Sequence, residues 1–156
     1  MKIGFSRADE VFREDIAQWM AEHLSGEFAP LRFRGGPGDE HSFPEERKAW
    51  ERTLAAGAWI GVGWAKEHGG RGLSISQQVI FHEEYARAGG PGRMGHIGEG
   101  LVGPTLATFG TAPQIERHEG RIQRALGQQP PDQVRKLERH HKGIRPHSGA
   151  EQAGYR

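Results

Sequence analysis

Apolar positions near the start of the chain recur every three or four residues, which is the spacing of one buried helix face. Ser6 stands just before this run with Asp9 three positions later, a pair that fits a capping box. The apolar members of the face are Phe12, Ile16, Trp19, Met20 and Leu24. Because Gly26 supplies a stop, the pattern predicts an amphipathic helix from about Ser6 to Leu24.

Two further helices are predicted from the same signals. The second begins at the Ser42–Glu45 capping box and ends at Gly57 or Gly61. The third begins at the Ser74–Gln77 box and ends at Gly89. Residues 27–41 between the first two helices are rich in Gly and Pro, which predicts an exposed loop.

A fourth helix is predicted to run from Glu99 or Pro104 to Phe109. Gly110 then fits a C-cap, and Thr111 with Gln114 fits one more capping box, so another helix follows within two residues. No segment alternates convincingly like a strand. The predicted fold class is therefore all-α.

The helices meet at a glycine-rich stretch, Trp64–Ser74, in which an aromatic and a short charged segment lead into Gly69-Gly70-Arg71-Gly72. Glycine adopts positive φ at little steric cost, so this cluster predicts a tight reversal of the chain. We interpret it as a structural joint in which Trp64 packs while the glycines turn the backbone into the Ser74 helix. The tryptophans as a group are expected in the core rather than against a cofactor.

Composition limits the function classes. The 156 residues fit one domain with one modest core, and the absence of cysteine removes disulfides and thiolate chemistry. No apolar run has the length of a signal peptide core or a membrane span, which predicts a cytoplasmic protein with no membrane partner.

Charge changes sign along the chain. Residues 1–117 carry 13 Lys and Arg against 16 Asp and Glu, whereas residues 118–156 carry 8 against 4. Large apolar side chains also become sparse after His118. We therefore predict a helical domain at 1–117 and a polar, basic tail at 118–156, which has too little apolar surface to offset the entropy of ordering. The tail lacks interleaved aromatics, so nucleic-acid binding is not expected.

Motifs that could carry chemistry have simpler explanations. The spacing from Gly98 to Gly103 matches a dinucleotide-binding turn, but the preceding sequence is not a strand. His82 has no second histidine four positions on, so the zinc protease pattern fails. Glu83 and Glu84 are expected to pair with Arg87 on one helix rather than act as general bases. No metal site is predicted from the scattered histidines.

The order of several short segments nevertheless resembles the N-terminal helical domain of acyl-CoA dehydrogenases. Ala65 departs from the proline that this family usually has after the tryptophan, which loosens that turn. The segments that carry the resemblance are Phe12-Arg13 with Trp19, Gly63–Gly72, Glu83–Ala88, Gly103–Leu106, and Phe109–Thr111 with Gln114.

This resemblance implies FAD-dependent α,β-dehydrogenation of an acyl-CoA thioester, with electrons passed on to an electron-transfer flavoprotein. In such enzymes the base lies in a C-terminal helical bundle, and a central β-barrel and the partner subunit hold the flavin. No catalytic residue is therefore predicted within this chain. The fourth-helix region borders the acyl pocket in the family, which implies Ile97, Leu101 and Leu106 as substrate-binding residues, although ordinary helix-face packing explains them equally well.

The family pattern fades after about His118, where the charge also changes. We expect either a shifted reading frame or a truncated gene there, and hence a fragment that is inactive and flavin-free by itself. The competing hypothesis is a non-enzymatic helical module or a pseudogene-like remnant. Such a module would bind a partner, in a homo- or hetero-oligomer, through faces that normally pack on the barrel.

Overall fold

The computed structural model describes residues 4–125, with side chains described through His118. Its α-helices are α1 (Arg7–His23), α2 (Pro44–Ala56), α3 (Ile75–Arg87), α4 (Gly103–Phe109) and α5 (Ala112–Ala125). Two 3-10 turns (Gly26–Leu31, Lys66–His68) and a π-turn (Gly98–Val102) complete the regular elements. Residues 4–125 contain no strand, so the all-α prediction is confirmed.

Two of the predicted capping boxes form fully. The Ser6 hydroxyl accepts from the Asp9 N–H at 3.1 Å while the Asp9 carboxylate accepts from the Ser6 N–H at 3.0 Å. Ser74 and Gln77 exchange the same pair of bonds at the start of α3. In both helices, a short polar side chain satisfies first-turn amides that have no partner within the helix.

The box predicted at Ser42–Glu45 is wrong. Ser42 donates its hydroxyl to Asp39 instead, and Phe43 occupies the cap position with φ of 50° and no side-chain bond. The helix therefore begins one residue later than the box requires, and Ser42 lies outside the cap position, where its hydroxyl bonds to the preceding loop. The helix still begins at Pro44, where the missing N–H of proline costs nothing.

The loop predicted at 27–41 is only partly correct, because its first residues form the 3-10 turn Gly26–Leu31. Leu31 at the end of this turn is 1% exposed and belongs to the core, so an apolar contact orders a segment that its glycine and proline content predicted as irregular. The last predicted box is half formed, with the Gln114 side chain accepting from the Thr111 N–H at 2.8 Å.

The core lies where α1 packs against α3 with α2 beside them. Trp59 stacks on Phe81 with ring centroids 5.5 Å apart, and Trp50 donates its indole N–H to the Tyr85 hydroxyl at 3.0 Å. Burial raises the pKa of that tyrosine. Trp50 and Trp59 are buried as predicted. The remaining buried members are Ile16, Met20, Leu24, Leu31, Leu54, Val62, Ile80 and Phe81.

The helix α5 runs continuously through Ala125 and so crosses the boundary predicted between residues 117 and 118. Residues 126–156, most of the predicted disordered tail, lie outside the described part of the chain. Among the helices that are described, none combines the length and the apolar character needed to cross a membrane.

Candidate functional site

The described residues form an open cleft of about 650 Å³. Its lining comes from residues 61–65, which lead into the glycine-rich joint, and from one side of α3, the π-turn and α4. The side chains that line it are Val62, Trp64, Ala65, His68, Gln78, His82, Arg93, His96, Glu99, Pro104, Ala107 and Thr108.

Close backbone approach explains the glycines around Trp64. A Cβ atom on Gly70 would lie 2.2 Å from the Trp64 carbonyl oxygen, and one on Gly103 would lie 2.2 Å from the indole ring. Gly69 and Gly72 take positive φ of 81° and 63°, where side chains are strained. The joint predicted from sequence is confirmed, and its indole forms part of the cleft wall.

An ion network that the sequence reading missed holds the cleft together. Arg93 donates to Glu51 Oε1 at 2.8 Å and to Glu99 Oε2 at 2.5 Å, and the three side chains are only 14%, 9% and 16% exposed. Burial lowers the pKa of Arg93, but the hydrogen bond to Glu51 and the charges of both carboxylates outweigh it and raise the pKa. The guanidinium therefore stays charged and is held by both carboxylates.

Glu99 joins the two walls of the cleft. Its Oε1 accepts from the Gly61 N–H at 2.7 Å, and its backbone carbonyl accepts from the Trp64 indole N–H at 3.1 Å. Glu51 also accepts from the Met94 N–H at 3.0 Å, which fixes the loop before the π-turn. Nothing in the sequence spacing links Glu51, Arg93 and Glu99, because they come from three separate segments.

The predicted substrate-side residues lie at the edge of this region. Ile97 is 57% exposed and Leu101 is 65% exposed, and neither lines the cleft. Leu106 is half-buried in a small adjoining pocket beside Trp64 and Ile115. Their role as substrate contacts stays a prediction.

Of the two pairings predicted with Arg87, the one with Glu84 forms, whereas Glu83 pairs with Arg13 instead. The buried Glu84 carboxylate forms salt bridges with Arg87 and Arg13, each at 2.6 Å. Glu83 forms a salt bridge with Arg13 at 2.9 Å. The contact joins α1 to α3, a tertiary pairing that helix spacing could not show. Neither carboxylate lines the cleft.

The other motifs add no reactive centre. Residues 98–103 form the π-turn and the start of α4, and no strand precedes them in the described chain. No group of three His, Asp or Glu side chains among the described residues is placed to hold a metal ion.

Comparison with known proteins decides the family. The profile of the acyl-CoA dehydrogenase N-terminal domain matches residues 6–124. This chain belongs to that family. The match extends beyond the boundary predicted at residue 117 and ends one residue before the end of α5.

Relatives with known names support the assignment. Acyl-CoA dehydrogenase IpdE1 of Mycobacterium tuberculosis is 52% identical over 113 residues, which is 72% of this chain and 29% of that protein. IpdE1 of Mycolicibacterium smegmatis is 52% identical over 106 residues, 68% of this chain and 27% of that protein. The chain thus spans less than a third of the length of these acyl-CoA dehydrogenases.

Solved structures of the family have the same fold. The Tcur3481-Tcur3483 steroid ACAD matches with a TM-score of 0.64 and 28% identity, over 80% of this chain and 31% of that one. The ChsE4-ChsE5 complex from Mycobacterium tuberculosis matches with a TM-score of 0.61 and 26% identity, over 81% of this chain and 30% of that one.

Acyl-CoA dehydrogenases use FAD, but the described cleft does not fit a flavin by itself. A pyrophosphate requires unpaired cations or a row of backbone donors. Arg93 is the only Arg or Lys among the cleft residues described, and two carboxylates already neutralise it.

Proposed function

We propose that this chain supplies the N-terminal helical domain of an FAD-dependent acyl-CoA dehydrogenase and that its cleft forms part of the wall around the acyl group. The observation that carries the proposal is the family match over residues 6–124, which contain the whole cleft. In this family, dehydrogenation removes a proton from the α-carbon and a hydride from the β-carbon of the thioester. We assign the flavin site, the catalytic base and the contact with an electron-transfer flavoprotein to other domains of such an enzyme.

The contribution proposed for the chain's own residues is binding and exclusion of water. Trp64, Pro104 and Ala107 offer apolar surface to an acyl group, and burial of that surface favours association. The ion network of Arg93 with Glu51 and Glu99 fixes the spacing of the walls. Such preorganisation lowers the entropy cost of binding.

We place this activity in the cytoplasm, which cell fractionation would test.

A domain exchange tests the proposal. Residues 6–124 of this chain would replace the matching domain of IpdE1 from Mycolicibacterium smegmatis, which is 52% identical over 106 residues. We expect the hybrid to retain flavin colour and to reduce an artificial electron acceptor with the substrate of the parent enzyme. A colourless, inactive hybrid that still folds would refute the proposal.

The chain alone provides the matching control. We expect it to purify without visible flavin absorbance and to show no turnover of octanoyl-CoA, because the cleft lacks a free cation for the cofactor. A yellow preparation with dehydrogenase activity would show that the flavin and the catalytic base are wrongly assigned to other domains.

The second candidate is a helical interaction module. It is favoured by the apolar side chains that the cleft side leaves exposed, among them Phe109 at 83% and Leu101 at 65%. The two solved relatives named above, Tcur3481-Tcur3483 and the ChsE4-ChsE5 complex, each pair two proteins, which supports an oligomer for this chain as well. An apo protein that co-purifies with an acyl-CoA dehydrogenase subunit, while the hybrid stays inactive, would favour the module.

A further inference from the structure

The segment 97–102, called here the cleft wall segment, consists of Ile97 and the π-turn Gly98–Val102. Glu99 and Gly100 of this segment line the cleft. π-turns are rare in proteins, and those that occur are frequently at functional sites. The segment therefore differs in kind from the α-helices that surround it.

Its two glycines have no steric requirement. A Cβ atom on Gly98 or on Gly100 would meet nothing within 4 Å, and neither residue has positive φ. Gly61 and Gly103, by contrast, pack directly against the Trp64 ring. Glycine in a helix costs about 1 kcal/mol relative to alanine, so two unconstrained glycines in one turn make it easier for the backbone to leave the helical conformation.

Apolar packing does not hold the segment either. Ile97, Leu101 and Val102 are 57%, 65% and 40% exposed. Among the described residues, the hydrogen bonds that join the segment to the opposite wall all end on Glu99, from Arg93, from the Gly61 N–H and from the Trp64 indole. One residue thus fixes the position of a backbone that would otherwise be loose.

We propose that the cleft wall segment is a movable wall, with Glu99 as the positioning residue that holds it closed against Arg93 and Gly61. Opening breaks the three Glu99 contacts and widens the cleft between the π-turn and Trp64. That opening admits an acyl group, a role which rests on the function proposed above.

Amide hydrogen exchange of the full chain, followed by NMR, tests the movement without any ligand. We expect residues 98–102 and the Trp64 indole N–H to exchange at least about tenfold faster than the fully buried Ile80 in α3. Protection of residues 98–102 equal to that of Ile80 would overturn the proposal.

Two variants change the movement in opposite directions. Glu99→Gln removes the charge that faces Arg93 and should speed exchange at 98–102 by about tenfold, since a charged hydrogen bond is lost. Its control is Glu45→Gln, the same change in a 75% exposed carboxylate paired with Lys48, which should leave exchange at 98–102 unchanged.

The double variant Gly98→Ala/Gly100→Ala should slow exchange by about tenfold, because alanine favours the helical state. Gly36→Ala, at another unconstrained glycine, is its control. If Glu99→Gln fails to fold, the double alanine variant decides. If exchange at 98–102 is the same in the parent, in Glu99→Gln and in the double alanine variant, the movable wall is refuted, even when the hybrid enzyme is active. If the exchange rates change as expected but the hybrid is inactive, only the enzymatic role is refuted.

Discussion

The half of the molecule formed by α1, α2 and α3 differs from the half formed by the π-turn, α4 and α5 in where the apolar side chains lie. In the first half Ile16, Met20 and Leu54 are fully buried. In the second half Leu101 is 65% exposed and Phe109 is 83% exposed. The first half forms the buried core, although Ile75 at the start of α3 is 81% exposed, whereas the large apolar side chains of the second half lie mostly at the surface.

The polar contacts differ in the same way. In the core half, the buried Glu84 links α3 to α1 through Arg13, while its other partner, Arg87, lies on the same helix. On the cleft side, Glu99 holds a loosely packed turn by hydrogen bonds. Packing fixes one half and a buried ion network fixes the other, so the two halves should respond differently to substitution.

The largest expected effect is at Trp50. Trp50→Ala removes a 1% exposed ring from the core and its hydrogen bond to Tyr85, which should lower the free energy of unfolding by about 3–5 kcal/mol. The matched change Phe109→Ala, at an 83% exposed ring, should stay within about 0.5 kcal/mol. Urea denaturation measures both, and equal losses would remove the distinction between the halves.

A smaller effect is expected at the junction between the halves. The buried Arg47 on α2 donates to the carbonyl oxygens of Gly35 and Gly92, and so joins the 34–42 loop to the segment that leads into Arg93. Gly35 has φ of 71°, and a Cβ atom there would lie 2.3 Å from the Arg47 guanidinium carbon.

Gly35→Ala should therefore cost about 2 kcal/mol through backbone strain and displacement of Arg47. Gly36→Ala, the neighbouring glycine with open space and no positive φ, should be nearly neutral. Thermal unfolding compares the two variants. A Gly35→Ala protein as stable as Gly36→Ala would show that Arg47 does not couple the halves.

The smallest expected effect concerns pH. The hydrogen bond from Ser42, together with one from the Gly35 N–H, holds the pKa of Asp39 below its usual range. Because the pKa of Asp39 is lower in the folded chain than in the unfolded chain, the ionised carboxylate stabilises the fold. This stabilisation is fully present above the unfolded-state pKa and is lost as the pH falls through the folded-state pKa.

Asp39→Asn should therefore reduce the fall in melting temperature between about pH 6 and about pH 3, the range around the ordinary pKa of aspartate. Ser42→Ala should move the loss to higher pH, because it removes the largest cause of the shift. Melting curves across this range check both, and identical profiles for variant and parent would contradict the assignment to Asp39.

Local signals in the sequence predicted much of the fold. The capping boxes at Ser6 and Ser74 form because their partners lie three residues away, within reach along the chain. The Ser42 box failed because the chain turns at Phe43, with φ of 50°, so that Phe43 rather than Ser42 occupies the cap position. The Arg93 network was missed because its members are up to 48 positions apart and only tertiary packing brings them together.

The sequence by itself determined the helices, the glycine joint at Trp64 and the family, since periodicity, caps and motif order are properties of neighbouring residues. Only the tertiary structure decided which charges meet. Glu51, Arg93 and Glu99 come from three segments, and their pairing depends on how α2 and the π-turn pack around Trp64. A buried charge needs a partner at bonding distance, and that distance exists only once the chain is folded.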